Sequence, residues 1–119
     1  MRDVSDMSAV ADGLAVYNSN AGGWVTVGGT SASSPLVAAI YATARHPAWP
    51  GDSYFEPDSF YDITSGSNVL PGDPSCTDLI QCNARGGWDG PTGIGSPIGS
   101  RLAQHQIAVD WVAISAAIL

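Results

Sequence analysis

Few residues in this sequence are of types that do chemistry, and they fall into small groups. Ser31 follows Gly28-Gly29-Thr30 and precedes Ala32-Ser33-Ser34-Pro35. At the start of a helix the backbone N–H groups have no intrahelical partner and the dipole is positive. A hydroxyl displayed there can attack a carbonyl carbon while those N–H groups hold the oxyanion. The same place also suits a plain helix cap made by Ser31 or Thr30. Asp62 and Asp89 sit in turn-forming surroundings, where aspartates commonly bond to nearby N–H groups. Cys76 and Cys82 lie six residues apart, either as a disulfide in an oxidising compartment or as two free thiols. Spacing and compartment favour the bridge. Zinc is disfavoured, since no His or further Cys is near them. His46 lies about 20 Å along the helix from Ser31, too far to act as its base. His105, on the last expected helix, is a remote alternative, and the string around Ser31 is not the G-x-S-x-G elbow of hydrolases.

The elements that must position Ser31 are a hairpin and a helix. "GLAVYNS" (Gly13 to Ser19) and "WVTVGG" (Trp24 to Gly29) read as strands joined by Asn and Gly residues. Gly28 and Gly29 let the backbone turn sharply and approach another group closely. From Ser31 to about Arg45 small and apolar residues predict a buried helix, which His46-Pro47 ends. Pro35 is expected in its first turn, where a missing N–H costs little. Residues 47–60 read as loop, and "FYDIT" (Phe60 to Thr64) as a short apolar island. Residues 65–97 read almost wholly as loop. So long a loop in a compact domain needs a staple: a disulfide, a metal or a partner surface. A last helix is expected from about Ser96-Pro97 through "GSRLAQHQIAVDWVAI".

The chain has 119 residues, enough for one domain at most, with 45% hydrophobic and 13% charged residues and a net charge of -7. Only four residues are Lys or Arg, which argues against a nucleic-acid partner. The acidic balance suits an acidic or extracellular setting. No signal peptide is expected at the start, and the apolar tail Trp111 to Leu119 is about half the length that crosses a bilayer, so no membrane association is expected. Trp24, Trp49, Trp88 and Trp111 could line a surface, with Trp88 packing beside the loop of Asp89. Glu56, Asp58, Asp73 and Asp78 read as solvated loop charges.

The strings themselves narrow the field. "GTSASSP" resembles the nucleophile motif of the sedolisin family, the serine-carboxyl peptidases, and is close to that of the related subtilisins. "FYDITSGSN" and "GGWDGPTGIGSPIG" resemble the sedolisin C-terminal region, in that order. "RDVSDMSAVADGLAVYNS" resembles the family segment before the nucleophile strand, with Ser5 where proline is usual. The resemblance covers about residues 2–100. It implies an α/β fold: an incomplete subtilisin-like catalytic domain, its C-terminal portion, over residues 1–104, with an atypical apolar tail at 105–119. It implies Ser31 as the catalytic nucleophile. It also implies one Ca²⁺ ion, held by side-chain oxygens of Asp62 and Asp89 and by backbone carbonyls of Ile63, Arg85 and Gly87, with water completing the shell. Gly is usual in the family at the place of Arg85, so a carbonyl ligand there requires a backbone angle that suits a residue with a Cβ.

Family members pair the serine with a Glu base, an Asp that orients it and a second Asp in the oxyanion hole. These carboxylates stay ionised in acid, which suits work at low pH. All three lie far upstream of the serine in the family. Thirty residues precede Ser31 here, and Asp3, Asp6 and Asp12 do not match those positions. The expectation is therefore a secreted peptidase acting on peptides, present as a piece that is inactive alone. Its missing N-terminal part would be a partner, and bare apolar surface would remain without it. The alternative is a non-catalytic calcium-binding module derived from such an enzyme. Substrate preference, and endopeptidase as against tripeptidyl-peptidase action, are not legible.

Overall fold

The computed structural model describes residues 5–45, 51–69 and 79–104. Over them the chain is a small α/β unit with two two-stranded antiparallel sheets and short helices. The expected hairpin is present. Strand β1 (Leu14–Asn18) pairs with β2 (Gly23–Val27) in the register Leu14↔Val27 to Asn18↔Gly23. A single 3₁₀ turn (Ser19–Ala21) joins them. The Asn18 side chain accepts a hydrogen bond from the Asn20 N–H, and Gly22 takes the left-handed conformation (φ 79°) that closes the turn. Tyr17 and Trp24 face each other across the strands, edge to face, with ring centroids 5.7 Å apart. Both rings are exposed, Trp24 at 74%.

The expected helix is also present. Helix α1 runs Thr30–Ala44, and Arg45 ends it in the left-handed region (φ 56°). One expectation changes: Pro35 is the sixth helical residue, beyond the first turn. Its missing N–H would have bonded the carbonyl of Ser31, four residues back. The four residues before it (Ser31, Ala32, Ser33, Ser34) are all small.

Residues 47–60, expected as loop, contain α2 (Asp52–Phe55) and a 3₁₀ turn (Pro57–Ser59). The apolar island forms β3 (Phe60–Tyr61), which pairs with β4 (Ser96–Pro97) in the register Phe60↔Pro97, Tyr61↔Ser96. Ser96-Pro97 are thus extended, and the last helical residues among those described are 99–104. The loop region carries α3 (Leu79–Cys82) and two isolated bridges, Ser67↔Asn83 and Asp89↔Gly93. Cys82 is disulfide-bonded. Its expected partner Cys76 lies outside the described residues, as do His46, Trp49, Asp73, Asp78 and the whole of the expected tail segment 105–119.

The core is small. Tyr41, Ala44, Phe60 and Leu102 are buried, with Met7, Val37, Ile40, Ile94 and Ala103 packed against them. Against these stand exposed Val10, Val16, Tyr17, Trp24, Leu36 and Phe55. A unit exposing this much large apolar surface presents a face suited to packing on something else. Among the described residues no helix is long and apolar enough to cross a membrane.

Candidate functional site

Ser31 is the second residue of α1 and is exposed. The helix cap is Gly29, with φ 144° and ψ 153°, and no side chain caps the helix. So neither Ser31 nor Thr30 serves as the N-cap, and the Ser31 hydroxyl makes no hydrogen bond to a described residue. Gly28 and Gly29 explain the geometry. A Cβ on Gly28 would lie 2.8 Å from Asp12 Oδ1 and 3.0 Å from the Ala11 carbonyl oxygen. The Gly29 N–H donates to the Ala11 carbonyl at 2.6 Å. The turn into α1 is thus pressed against the segment before the hairpin, in keeping with the close approach expected of the glycine pair.

That segment is itself pinned from two sides. Ser33 donates its hydroxyl to the Ala9 carbonyl at 2.9 Å, from the same turn of α1 that carries Ser31. On the other side the Ile94 N–H donates to the Asp6 carbonyl (3.0 Å) and the Ser8 N–H to the Gly95 carbonyl (2.9 Å). The Ser96 hydroxyl reaches the Ser8 carbonyl at 2.8 Å. Gly93 and Gly95 make this approach possible. A Cβ on Gly93 would collide with the Asp6 carbonyl group, and one on Gly95 with the Tyr61 carbonyl oxygen. Residues 5–12, the turn into α1 and residues 93–96 therefore form one bonded assembly. An open cleft of about 440 Å³ lies beside it, lined by Ser5, Met7, Ser8, Thr30, Ser33 and Val37 among others. Ser31 is not part of its wall.

Asp62 and Asp89 meet at one loop. Asp62 Oδ2 accepts from the Gly87 N–H at 2.9 Å, and Asp89 Oδ2 from the Arg85 N–H at 2.8 Å. Asp89 is fully buried, and its Oδ1 accepts both the N–H and the hydroxyl of Thr92 at 2.8 Å. A carboxylate has about four lone-pair sites. Oδ1 of Asp89 is fully used; Oδ2 keeps one site, and exposed Asp62 keeps more. Arg85 does not adopt a positive φ, while Gly87 does (φ 79°), so the backbone at Arg85 suits a residue with a Cβ. No described donor reaches the carbonyls of Ile63, Arg85 or Gly87. These hard oxygen donors fit a calcium-type ion. The same bonds to N–H groups also serve as plain turn contacts, and among the described residues no group of three His, Cys, Asp or Glu side chains gathers.

Other expectations find their places. Trp88 is half-buried beside this loop and its Nε1–H donates to the Ser5 carbonyl at 3.2 Å. Glu56 is half-buried rather than solvated. Asp58 is exposed, and its carbonyl accepts from the Arg101 guanidinium. Sequence reasoning missed Ser33 as the tether of α1; its place two residues after Ser31 gave no sign of a partner 24 residues earlier.

No family model matches the chain. Curated proteins do, and they are peptidases of the sedolisin family, so the resemblance read from the motifs holds over most of the chain. Kumamolisin from Bacillus sp. (strain MN-32) is 37% identical over 111 residues, 87% of this chain and 19% of that protein. Tripeptidyl-peptidase sed1 from Aspergillus fumigatus is 35% identical over 106 residues, 81% of this chain and 15% of that protein. Physarolisin from Physarum polycephalum is 32% identical over 119 residues, 85% of this chain and 19% of that protein. The chain spans about a fifth or less of the length of the curated relatives it matches.

Proposed function

We propose that this chain is the nucleophile-bearing, calcium-binding C-terminal part of a secreted serine-carboxyl peptidase that cleaves peptide bonds in acid. The observation that carries the reading is the Ser31 hydroxyl: exposed, unbonded, and in the first turn of α1 behind a glycine cap that leaves the helix N–H groups without a side-chain partner. In this reading Ser31 Oγ attacks the scissile carbonyl carbon. Its proton passes to a carboxylate base, and the C–N bond breaks as that proton reaches the leaving amine. Water then hydrolyses the acyl-serine by the reverse proton path. The base, its orienting Asp and the oxyanion Asp come from a segment upstream of residues 1–104. The chain alone is therefore inactive. Exposed Val16, Tyr17, Trp24 and Leu36 support a packing face for such a segment.

Asp62 and Asp89 with the carbonyls of Ile63, Arg85 and Gly87 would hold the Ca²⁺ ion. Bound there, the cation supplies charge that locks the loops around residues 62–63 and 85–89 together. Endopeptidase and tripeptidyl-peptidase specificity depend on pocket walls outside this chain.

A second reading, a non-catalytic calcium-binding module, is favoured by one observation: no described carboxylate or imidazole bonds Ser31. The two readings separate in a peptide-hydrolysis assay at acidic pH, run on the chain joined to a Glu- and Asp-bearing upstream segment. Turnover lost on Ser31→Ala supports the peptidase; no turnover from the joined protein supports the module.

A further inference from the structure

Helix α3 joins the two loops that carry Asp62 and Asp89. On one side the Cys82 carbonyl accepts from the Asn68 N–H at 3.1 Å and from the Ser67 hydroxyl at 3.0 Å. The Ala84 N–H donates to the Gly66 carbonyl at 2.9 Å, beside the bridge Ser67↔Asn83. These bonds tie residues 66–68, a few positions after Asp62 and Ile63, to the residues directly before Arg85. On the other side the Ile80 carbonyl accepts from the N–H of Gly90, the residue after Asp89, at 2.8 Å. The approach is close: a Cβ on Gly90 would lie 2.6 Å from the Gln81 carbonyl oxygen.

A helix of four residues has too few internal bonds to stand alone. Cys82 is its last residue and is disulfide-bonded. The chain has one other cysteine, Cys76. With Cys76 as partner, the bond closes a ring over residues 76–82. Such a ring removes in advance part of the chain freedom that α3 loses on forming. The covalent bond thus acts on the one short element that both aspartate loops share.

We propose, resting on the calcium reading of Asp62 and Asp89, that the Cys82 disulfide latches the cation site: it holds α3 formed, and α3 sets the spacing of the loops at 62–63 and 85–89. Calcium affinity and disulfide stability are then linked, and the coupling is reciprocal. A dithiol reductant passes two electrons and two protons to the two sulfur atoms, which become thiols, while the dithiol closes to its own disulfide. Reduction frees α3, and calcium is held more weakly. In the other direction, the bond is harder to reduce when calcium is bound. The coupling is independent of Ser31.

The test is calorimetric titration of the full chain with calcium, before and after reduction by a dithiol, with amide hydrogen exchange on both forms. The latch predicts a Kd about tenfold higher in the reduced chain. It predicts faster exchange at the Asn68, Ala84 and Gly90 N–H groups and unchanged exchange in the hairpin 14–27. By reciprocity, saturating calcium should lower the reduction potential of the disulfide by about 30 mV, the same tenfold for two electrons. Equal calcium affinity in the two forms overturns the latch and leaves the calcium reading standing. An oxidised chain that binds no calcium overturns both. Acceleration that reaches the hairpin to the same degree, in a reduced chain that stays folded, marks a general brace and counts against the latch. Should the reduced chain unfold altogether, Ser67→Ala gives the reading, since it removes one donor to the Cys82 carbonyl and leaves the disulfide. Calcium binding about threefold weaker is then expected, and unchanged affinity in that variant overturns the proposal.

Discussion

The hydroxyl of Ser33 donates to the carbonyl of Ala9, 24 residues earlier, at 2.9 Å, with a second contact to the Val10 carbonyl at 3.2 Å. Together with the Gly29 N–H, which donates to the Ala11 carbonyl at 2.6 Å, this side chain ties the start of α1, and Ser31 with it, to the segment that also bonds residues 93–96. Ser31 itself makes no side-chain bond to a described residue, so its position is set by its neighbours in the turn and helix.

Removing that tether should loosen the start of α1. Ser33→Ala is expected to destabilise the chain by about 1 kcal/mol, with two carbonyls losing a donor. Urea unfolding checks this, and Ser34→Ala, on an exposed neighbour, is the control, expected within about 0.5 kcal/mol of the parent.

Gly95 is held at φ 116° with no room for a Cβ, whereas Gly86 has open space and no positive φ. Gly95→Ala is expected to cost more than about 3 kcal/mol, or to prevent folding, through clash with the Tyr61 backbone. Gly86→Ala should be tolerated within about 1 kcal/mol. Similar stability of the two variants in thermal unfolding would show that β3 and residues 93–96 are not packed as described.

Ser59 is fully buried and its hydroxyl has no hydrogen-bond partner among the described residues. An unsatisfied buried hydroxyl is a cost without a gain. Ser59→Ala is therefore expected to leave stability unchanged or raise it by about 1 kcal/mol. A loss above about 1 kcal/mol in denaturant titration would reveal a bond this geometry lacks.

Calcium should stabilise the loops at Asp62 and Asp89. At a hundredfold excess over its Kd, a bound ligand adds about 2.7 kcal/mol, on the order of 10 °C in Tm for a chain of this size. A chelator should reverse the gain. Asp62→Ala, on an exposed carboxylate, should abolish the calcium effect with little change without calcium. Asp89→Ala should destabilise both states, because it orphans the N–H groups of Arg85 and Thr92. Calorimetry showing no calcium dependence would leave both aspartates as turn residues.

Much of this arrangement was legible in the letters, and the rest was hidden for physical reasons. The hairpin and α1 carry long apolar runs bounded by Asn, Gly and Pro, so their type was readable. The β3–β4 pair was not: Phe60-Tyr61 and Ser96-Pro97 are two residues each, too short for any period, and joined across about 35 positions. Helices α2 and α3 have four residues each, below the length at which periodicity speaks. Asp62 and Asp89 were found through motif likeness; no local pattern announced that both would bond the 85–87 loop. The tight places at Gly93 and Gly95 depend on contacts with Asp6 and Tyr61, which sequence alone does not place nearby. Pro35 was read one turn too early, because the helix begins at Thr30.

In the function proposed, Ser31 is the attacking group of a peptidase whose base lies upstream of this chain. Hydrolysis of a peptide at acidic pH tests it most directly, measured for the chain alone and for the chain joined to a Glu- and Asp-bearing sedolisin segment, each with and without Ser31→Ala. The prediction is no Ser31-dependent turnover from the chain alone, and turnover from the joined protein that Ser31→Ala lowers by about 10⁴-fold or more. Joined protein that keeps its turnover without the Ser31 hydroxyl, or Ser31-dependent turnover from the chain alone, would contradict it.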